Sequence, residues 1–289
     1  MSSNIKQAFV SRFEGGYLLE ADFGQLEVYA LAYLSQDKQL MQDLSDGLDL
    51  HCVNAANLIN QPYAIFKGRV DGGDTIAINQ RKLAKTMSFQ LQYGAGAAKI
   101  AKENGCTEDF ARKFIRLYYE RYSGVKAYHK KMLGIIPALR NISDKRTSSG
   151  FPAGIARYRS STGRIYTFYE EDSFKGVSFS PTQIKNYPVQ GFATGDIVPL
   201  VLGHLHNKII STGLGSEILL INTIHDSILE DVNGWCVHTA AKITKDTMEE
   251  APSLLQSYFG IELGMKLKAE VKVGKTWATM ENYDDTRSY

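Results

Sequence analysis

The fold of this chain is constrained most by two strand-like runs that are joined by a very short connection. Ile218–Ile224 and Ser227–Val232 are rich in apolar residues, and only His225 and Asp226 separate them. A two-residue connection between such runs predicts a β-hairpin, and therefore an antiparallel sheet. His-Asp lacks the glycine or asparagine that a tight hairpin turn favours. We therefore expect a requirement other than turn propensity to explain these two residues.

A second aspartate ends another strand-like run near the N-terminus. Tyr17–Ala21 is mostly apolar and leads into Asp22, after which apolar residues recur at helical spacing, so a strand followed by a helix is predicted. If Asp22 and Asp226 lie together, their carboxylates could hold two cations about 3.5–4 Å apart, an arrangement that serves phosphoryl chemistry. The alternative is that each is a solvated turn residue, since aspartate is common in turns.

One helical face combines cationic and aromatic side chains. A helix without glycine or proline is predicted over Gln80–Tyr93, and Arg81, Lys85 and Phe89 recur in it every four residues. These three residues span roughly 12 Å, which suits two cations for a triphosphate and a ring for its nucleoside. Tyr93, one step further, could stack on a base. The alternative is an amphipathic helix with its basic residues outward and both aromatic rings in the core.

The other predicted elements are mostly helical. Gly94 should end the preceding helix in a left-handed conformation. The segment Arg140–Ser180 is rich in Gly, Ser and Arg and predicts loops with a small hairpin around Thr162-Gly163-Arg164. The remaining predictions are helices around Leu48–Ile59, Ala97–Asn104, Glu108–Leu133, Phe192–Ile210 and Trp235–Glu250, and a strand at Lys266–Val273.

The composition excludes several classes of protein without selecting one. The chain has 33 basic and 31 acidic side chains, and a net charge of +2 neither indicates nor excludes a nucleic-acid partner. Cys52, Cys106 and Cys236 are widely spaced, which argues against a disulfide framework or a zinc site. The N-terminus has no signal-peptide pattern, and no run approaches the roughly 18 apolar residues of a membrane span. We therefore expect a soluble cytosolic protein.

Three segments, in a fixed order, resemble the motifs of family A DNA polymerases, the DNA polymerase I type. Asp22-Phe23-Gly24-Gln25-Leu26-Glu27 resembles motif A, and Ile224-His225-Asp226 fits motif C. The stretch from Arg81 to Gly94 fits the motif B pattern Arg-x3-Lys-x3-Phe-x3-Tyr-Gly at every defined position. Asn186 and Gln190 in Lys-Asn-Tyr-Pro-Val-Gln-Gly add to the resemblance, which covers nearly the whole chain.

The resemblance implies an α/β (α+β) right-hand fold, with an antiparallel palm sheet, mainly helical fingers and no thumb. The palm would comprise residues 1–36 and 180–289. The fingers would comprise 37–179, with the motif B helix at 80–93 and an insertion over 140–180. The implied activity is template-directed DNA synthesis in replication, which transfers a deoxynucleotide to a primer 3′-hydroxyl and releases pyrophosphate.

The resemblance also implies roles for individual residues. Asp22 and Asp226 would bind two Mg²⁺ ions, for which Mn²⁺ could substitute, and Lys85 would protonate the departing pyrophosphate. The implied dNTP-binding residues are Arg81, Lys85, Phe89, His51, Glu27, Gln25 and Tyr93, and the implied primer-template contacts are Asn186, Gln190, His225 and Tyr93. For His51, a place on a helix surface is the alternative.

Two of these residues would set substrate selection, and one of the departures from the family pattern directly follows Asp226. Glu27 would close the sugar pocket against a 2′-hydroxyl by steric exclusion. Phe89, where some relatives carry tyrosine, implies rejection of dideoxynucleotides. Ser227 replaces the usual glutamate after the motif C aspartate. We expect activity to survive that change, because two aspartates suffice for a two-metal scheme.

The short stretch before Asp22 bears on the partners of the chain. It leaves two explanations, an excised fragment or one half of a split polymerase, and a split phage replication gene is preferred. In the split case a second polypeptide would supply the thumb and a 3′-5′ exonuclease domain, and this chain could depend on it or be inactive. A single-subunit RNA polymerase is a further alternative, against which Glu27 counts.

Overall fold

The structure of the chain is a computed structural model that describes residues 4–174 and 176–289. Residues 1–3, in the predicted palm, and Lys175, in the predicted insertion, lie outside the described residues. The helices are α1 Leu26–Ser35, α2 Lys38–Ser45, α3 Leu50–Leu58, α4 Tyr63–Asp71, α5 Thr75–Gln92, α6 Ala97–Asn104, α7 Glu108–Arg121, α8 Ser123–Ala138, α9 Pro181–Gln190, α10 Val198–Ser211, α11 Val237–Glu249 and α12 Ala251–Phe259.

Nine strands and four short helical segments complete the described elements. The strands are β1 Tyr17–Phe23, β2 Arg140–Asn141, β3 Ile155–Arg159, β4 Ile165–Ser173, β5 Gly176–Phe179, β6 Ile218–Ile224, β7 Ser227–Val232, β8 Ala269–Gly274 and β9 Glu281–Asn282. The short segments are 3₁₀ turns at Asn4–Ala8, Gly234–Cys236 and Trp277–Thr279, and a π-helical segment at Gly191–Ile197. None of the helices within the described residues is both long and apolar enough to cross a membrane.

The chain divides into two compact units, one formed by Met1–Tyr29 with Gly191–Tyr289 and the other by Ala30–Gln190. The first unit contains a five-stranded antiparallel sheet in the order β6-β7-β1-β8-β9. This arrangement places β1, which carries Asp22, beside β7, which directly follows Asp226. The predicted antiparallel sheet is therefore confirmed.

The two faces of β1 differ because successive side chains of a strand point to opposite sides. Leu19, Ala21 and Phe23 are buried on the face against which α11 packs. Glu20 and Asp22 lie on the other face. The strand extends two residues beyond the predicted Tyr17–Ala21, so Asp22 stands within β1 and pairs with Ser227 and with Glu270 of β8.

The hairpin of β6 and β7 has the predicted limits and the predicted two-residue turn. His225 has a φ of 55°, whereas Asp226 is not among the described residues with positive φ. A turn with a positive φ only at its first central position favours glycine there. Any other residue pays about 1–2 kcal/mol for adopting this left-handed conformation. The turn is thus strained at the residue next to the motif C aspartate.

The second unit is mainly helical, and its long helix α5 starts five residues before the predicted Gln80. Asp74 caps α5 by accepting hydrogen bonds from the backbone N–H groups of Ile76 and Ala77, at 2.9 and 3.2 Å. The helix ends at Gln92, and Gly94 has a φ of +81°, which confirms the predicted left-handed helix end.

The prediction of one helix over Glu108–Leu133 was wrong, because α7 ends at Arg121 and α8 begins at Ser123. The Asp37 carboxylate accepts hydrogen bonds from the backbone N–H groups of Gly124, at 2.7 Å, and Val125, at 3.1 Å. A side chain distant in sequence therefore satisfies the first turn of α8 and stabilises the break.

The segment Arg140–Ser180 is more regular than predicted. A hairpin of β3 and β4 does surround Thr162-Gly163-Arg164, but it belongs to a four-stranded antiparallel sheet in the order β2-β3-β4-β5. Helices α8 and α9 pack against this sheet. The helix α9 itself was not predicted, since Pro188 within it is an unfavourable residue for a helix interior.

Candidate functional site

The first unit brings Asp22 and Asp226 into direct contact. Asp22 lies on β1, and Asp226 ends the turn into the neighbouring strand β7, where the two carboxyl groups are close enough to interact directly. The backbone N–H of Leu26, the first residue of α1, lies close enough to the Asp226 carboxylate to favour its charged form. A helix N-terminus favours negative charge, so α1 helps to hold this carboxylate in place.

The electrostatics of this pair are those of two carboxylates held too close to ionise independently. Partial burial, followed by the negative charge of Asp226 and a hydrogen bond to it, raises the pKa of Asp22 to about 6. Burial raises the pKa of Asp226 as well. Lys272 on the neighbouring strand opposes the rise at Asp22 but does not cancel it. A cation between the two groups would relieve their repulsion.

The donor set fits a hard divalent cation. Carboxylate oxygens are the ligands that Mg²⁺ prefers, and this ion is commonly bound by one or two carboxylates together with substrate phosphates. Over residues 4–174 and 176–289, no cluster of three or more His, Cys, Asp or Glu side chains forms a self-sufficient metal site. Asp22 and Asp226 therefore suit an ion that completes its coordination with substrate and water.

Three further predicted site residues lie in the first unit. Gln25 has a φ of 62°, a left-handed conformation that turns the chain from β1 into α1. Glu27 lies in the first turn of α1. His225 is exposed at the hairpin turn, directly before Asp226. The roles implied for these three residues remain predictions.

The second unit brings together His51, Arg81, Lys85 and Phe89. The rings of His51 and Phe89 lie 5.7 Å apart between centroids, and the Lys85 Nζ lies 5.8 Å from the centroid of the Phe89 ring. The buried face of α5 is formed by other residues, namely Ala77, Ala84, Met87, Ser88 and Leu91. Phe89 is partly exposed, so the alternative that placed its ring in the core is wrong.

Asp49, for which no role was predicted, contacts two residues of this cluster. Asp49 caps α3 by accepting hydrogen bonds from the backbone N–H groups of His51 and Cys52, at 3.0 and 3.1 Å. Its other carboxylate oxygen accepts a hydrogen bond from Nε of Arg81 at 2.6 Å. Asp49 thus fixes both His51 and Arg81. The cap pattern before α3 was the available signal in the sequence.

His51 is buried, at 9% exposure, which contradicts the alternative that placed it on a helix surface. Burial lowers its pKa to about 4, with nearby Arg81 and Lys85 acting in the same direction and Asp49 opposing. The imidazole is therefore neutral near pH 7 and can offer a hydrogen bond without a charge. Its Nδ1 is buried and has no hydrogen-bond partner within the described residues.

The other three predicted residues of the second unit lie at helix ends or on a helix. Tyr93 follows the last residue of α5 and is partly exposed, which contradicts a place in the core. Asn186 and Gln190 are partly exposed on α9. They stand one helical turn apart on the same side of α9, so both can contact one partner.

Comparisons with known proteins agree on one family. The sequence model of DNA polymerase family A matches residues 1–279. DNA polymerase I of Lactococcus lactis subsp. cremoris (strain MG1363) is 28% identical over 273 residues, and DNA polymerase I of Streptococcus pneumoniae (strain ATCC BAA-255 / R6) is 27% identical over 273 residues. Each alignment covers 94% of this chain but 27% of the relative, so the chain spans about a quarter of the length of these proteins.

A solved structure has the same fold. The POL domain of Pol1 from M. smegmatis, in complex with DNA primer-template and dNTP, superposes with a TM-score of 0.70 at 22% sequence identity. The superposition covers 95% of this chain and 42% of that one. With the family match over nearly its whole length, the chain belongs to DNA polymerase family A.

Proposed function

We propose that this chain carries out template-directed DNA synthesis, with Asp22 and Asp226 as its metal-binding residues. The observation that carries the proposal is the contact between their carboxyl groups, each with a raised pKa, in a chain of family A. Two Mg²⁺ ions, or Mn²⁺ in their place, would supply Lewis acidity and offset the negative charge of the phosphates. Asp22 and Asp226 would provide the oxygen ligands from the protein.

The residues around Phe89 would bind the incoming nucleotide. Arg81 and Lys85 would neutralise the triphosphate, and neutral His51 would contribute a hydrogen bond. The primer 3′-hydroxyl would lose its proton to solvent as its oxygen bonds to the α-phosphorus, while the bond from that phosphorus to the pyrophosphate breaks and pyrophosphate leaves with the electron pair. Lys85, an exposed ammonium group on this face, would donate a proton to the departing pyrophosphate. Catalysis of this kind depends mainly on positioning and electrostatic stabilisation.

Sugar selection would rest on Glu27 and Phe89. Glu27 would exclude a 2′-hydroxyl, which favours deoxynucleotides by penalising the competitor. Phe89 would disfavour dideoxynucleotides, and Gln25 would lie against the same sugar pocket. Tyr93 would stack near the templating base.

The primer-template would contact polar residues that the family resemblance singles out. Asn186, Gln190 and His225 are proposed to touch the strands near the newly formed pair, and their amide and imidazole groups suit hydrogen bonds to DNA. In this assignment residues 1–36 and 180–289 form the palm and residues 37–179 the fingers.

Single-nucleotide addition to a primer-template, with the chain in excess over DNA, tests the proposal. The excess ensures that weak duplex binding does not hide the chemical step. The wild-type chain should add the complementary deoxynucleotide with Mg²⁺ and discriminate against the ribonucleotide. Asp226→Ala should lower the rate by about a thousandfold or more, because removing a ligand forfeits several kcal/mol of charge stabilisation.

Asp246→Ala is a suitable control, since Asp246 is an exposed carboxylate on α11 in the same unit. This variant should retain the wild-type rate. Addition that survives Asp226→Ala would reject the assignment of the two aspartates. Equal use of ribonucleotides would reject the role of Glu27.

A further inference from the structure

The hairpin of β3 and β4 has a charge composition unlike that of the whole chain. The eleven residues from Ile155 to Ile165 include Arg157, Arg159 and Arg164 and no acidic residue, whereas basic and acidic side chains are nearly balanced over the full sequence. A local excess of arginine is characteristic of surfaces that bind phosphate groups. The segment is not among the motifs to which polymerase roles were given above.

The register of the hairpin puts two of these arginines on one face. Arg157 pairs with Thr167 and Arg159 pairs with Ile165, and directly paired residues of antiparallel strands point to the same side. The opposite side carries buried residues, namely Ala156, Tyr166 and Phe168. We name the side formed by Arg157, Arg159, Ile165 and Thr167 the outer face of the hairpin.

The outer face is accessible to a ligand. Arg157 and Arg159 are exposed, and Ile165, the first residue of β4, is 51% exposed. Within the described part of the chain, neither arginine forms an ion pair with a carboxylate. Arg159 donates one hydrogen bond, to the carbonyl oxygen of Gly163 at 3.4 Å, which leaves most of its donors available.

The surroundings of the outer face add charge and rigidity. Lys145 extends its ammonium group over Tyr169, at 3.7 Å from the ring centroid, at the next paired position along β4. The turn is closed by hydrogen bonds from Ser160 N–H to the Arg164 carbonyl oxygen, at 2.9 Å, and from Gly163 N–H to the Ser160 carbonyl oxygen, at 3.0 Å. The strands that carry the two arginines are therefore ordered before any ligand binds.

We propose that the outer face of the hairpin binds the sugar-phosphate backbone of single-stranded DNA. Arg157 and Arg159 stand two residues apart on one strand, about 6.8 Å along its length, and each guanidinium can bind a phosphate through two hydrogen bonds. Exposed Ile165 beside them offers an apolar surface to the face of an unpaired base. In a duplex that face is covered by the neighbouring bases of the stack. The inference rests on the proposed function for the nature of its partner.

Fluorescence anisotropy with labelled single-stranded DNA tests this, with salt varied from about 50 to about 200 mM. Arg157→Gln with Arg159→Gln should lower the slope of log affinity against log salt by about 1.4, since each phosphate contact contributes about 0.7. The affinity should fall by about tenfold or more near 100 mM salt. Lys130→Gln with Lys131→Gln, which removes two exposed charges from α8 of the same unit, should change neither value by as much.

The outcomes separate this inference from the proposed function. An unchanged slope in the double arginine variant, or an equal loss in the lysine control, would overturn it. A loss confined to duplex DNA would overturn the choice of single-stranded DNA. Asp226→Ala should retain DNA binding while losing nucleotide addition. If the wild-type chain adds nucleotides but the double arginine variant binds DNA as the wild type does, DNA binding by the outer face is rejected and the proposed function is not.

Discussion

Asp49 positions two of the residues that are proposed to bind the nucleotide. It binds only Nε of Arg81, so the two terminal nitrogens of the guanidinium can still face a phosphate. Its second oxygen holds the first turn of α3, from which His51 approaches Phe89. In the proposed function Asp49 therefore acts as a positioning residue.

Asp49→Asn should raise the KM for the incoming dNTP by about tenfold and change kcat much less. The amide oxygen can still cap α3, but the charge-assisted hydrogen bond that orients Arg81 is weakened, at a cost near 1.4 kcal/mol in binding. Steady-state kinetics with a saturating primer-template would measure both constants. A lower KM would contradict this role and indicate that Asp49 competes with the triphosphate for Arg81.

Individual site residues were predictable from the sequence to different degrees. The spacing of Arg81, Lys85 and Phe89 was enough to place them on one face, because helical periodicity is local. The contact of His51 with Phe89 depends on how α3 packs against α5, which no local pattern reports. The raised pKa of Asp22 likewise depends on Asp226, which only the strand order β7-β1 brings next to it.

At the level of secondary structure, α5 is followed by a glycine that is required both by its backbone conformation and by a close neighbour. Gly94 has a φ of +81°, and a Cβ there would lie 3.0 Å from Thr182 Oγ1 and 3.1 Å from Thr182 Cα. Gly94→Ala should lower the free energy of unfolding by about 2 kcal/mol, through backbone strain and crowding. Denaturant titration followed by circular dichroism would measure the change.

Gly96→Ala is the matched control for this variant. Gly96 has a φ of −83°, and a Cβ there would meet no heavy atom within 4 Å. Its substitution should alter the free energy of unfolding by less than about 0.5 kcal/mol. Equal effects at the two positions would contradict the special role of Gly94.

The elements that sequence patterns missed depend on distant partners. The break between α7 and α8 is stabilised by Asp37, which lies more than eighty residues before Gly124. Pairing of β4 with β5 gives the 140–180 segment more sheet than its Gly- and Ser-rich composition predicted. By contrast, β6 and β7 were predicted to the residue, because two apolar runs joined by a two-residue connection specify a hairpin locally.

At the scale of the whole molecule, the stability of the chain should depend on a buried carboxyl group in the five-stranded sheet. Glu230 on β7 is fully buried and accepts a hydrogen bond from Thr244 Oγ1 at 2.7 Å. Burial raises its pKa from 4.5 to about 8, so the folded chain retains a proton that the unfolded chain loses between these values. The free energy of unfolding should therefore fall as pH rises through this window, by at most about 1.4 kcal/mol per pH unit.

Glu230→Gln isolates this contribution, because glutamine keeps a similar shape and does not titrate. Its free energy of unfolding should decline less steeply from about pH 5 to about pH 8 than that of the wild-type chain. Denaturant titrations at several pH values would compare the two slopes. Identical slopes would show that Glu230 is ionised in the folded chain.

Asp22 and Asp226 are turn-like residues in the sequence but lie side by side in the fold, and their proposed role is to bind metal ions. Calorimetric titration of the chain with Mn²⁺ tests it most directly, since binding can be measured without DNA or nucleotide. The wild-type chain should bind Mn²⁺, Asp226→Asn should bind it at least about tenfold more weakly, and the exposed Asp246→Asn should match the wild type. Unchanged Mn²⁺ affinity in Asp226→Asn would contradict the proposed metal-binding role of the two aspartates.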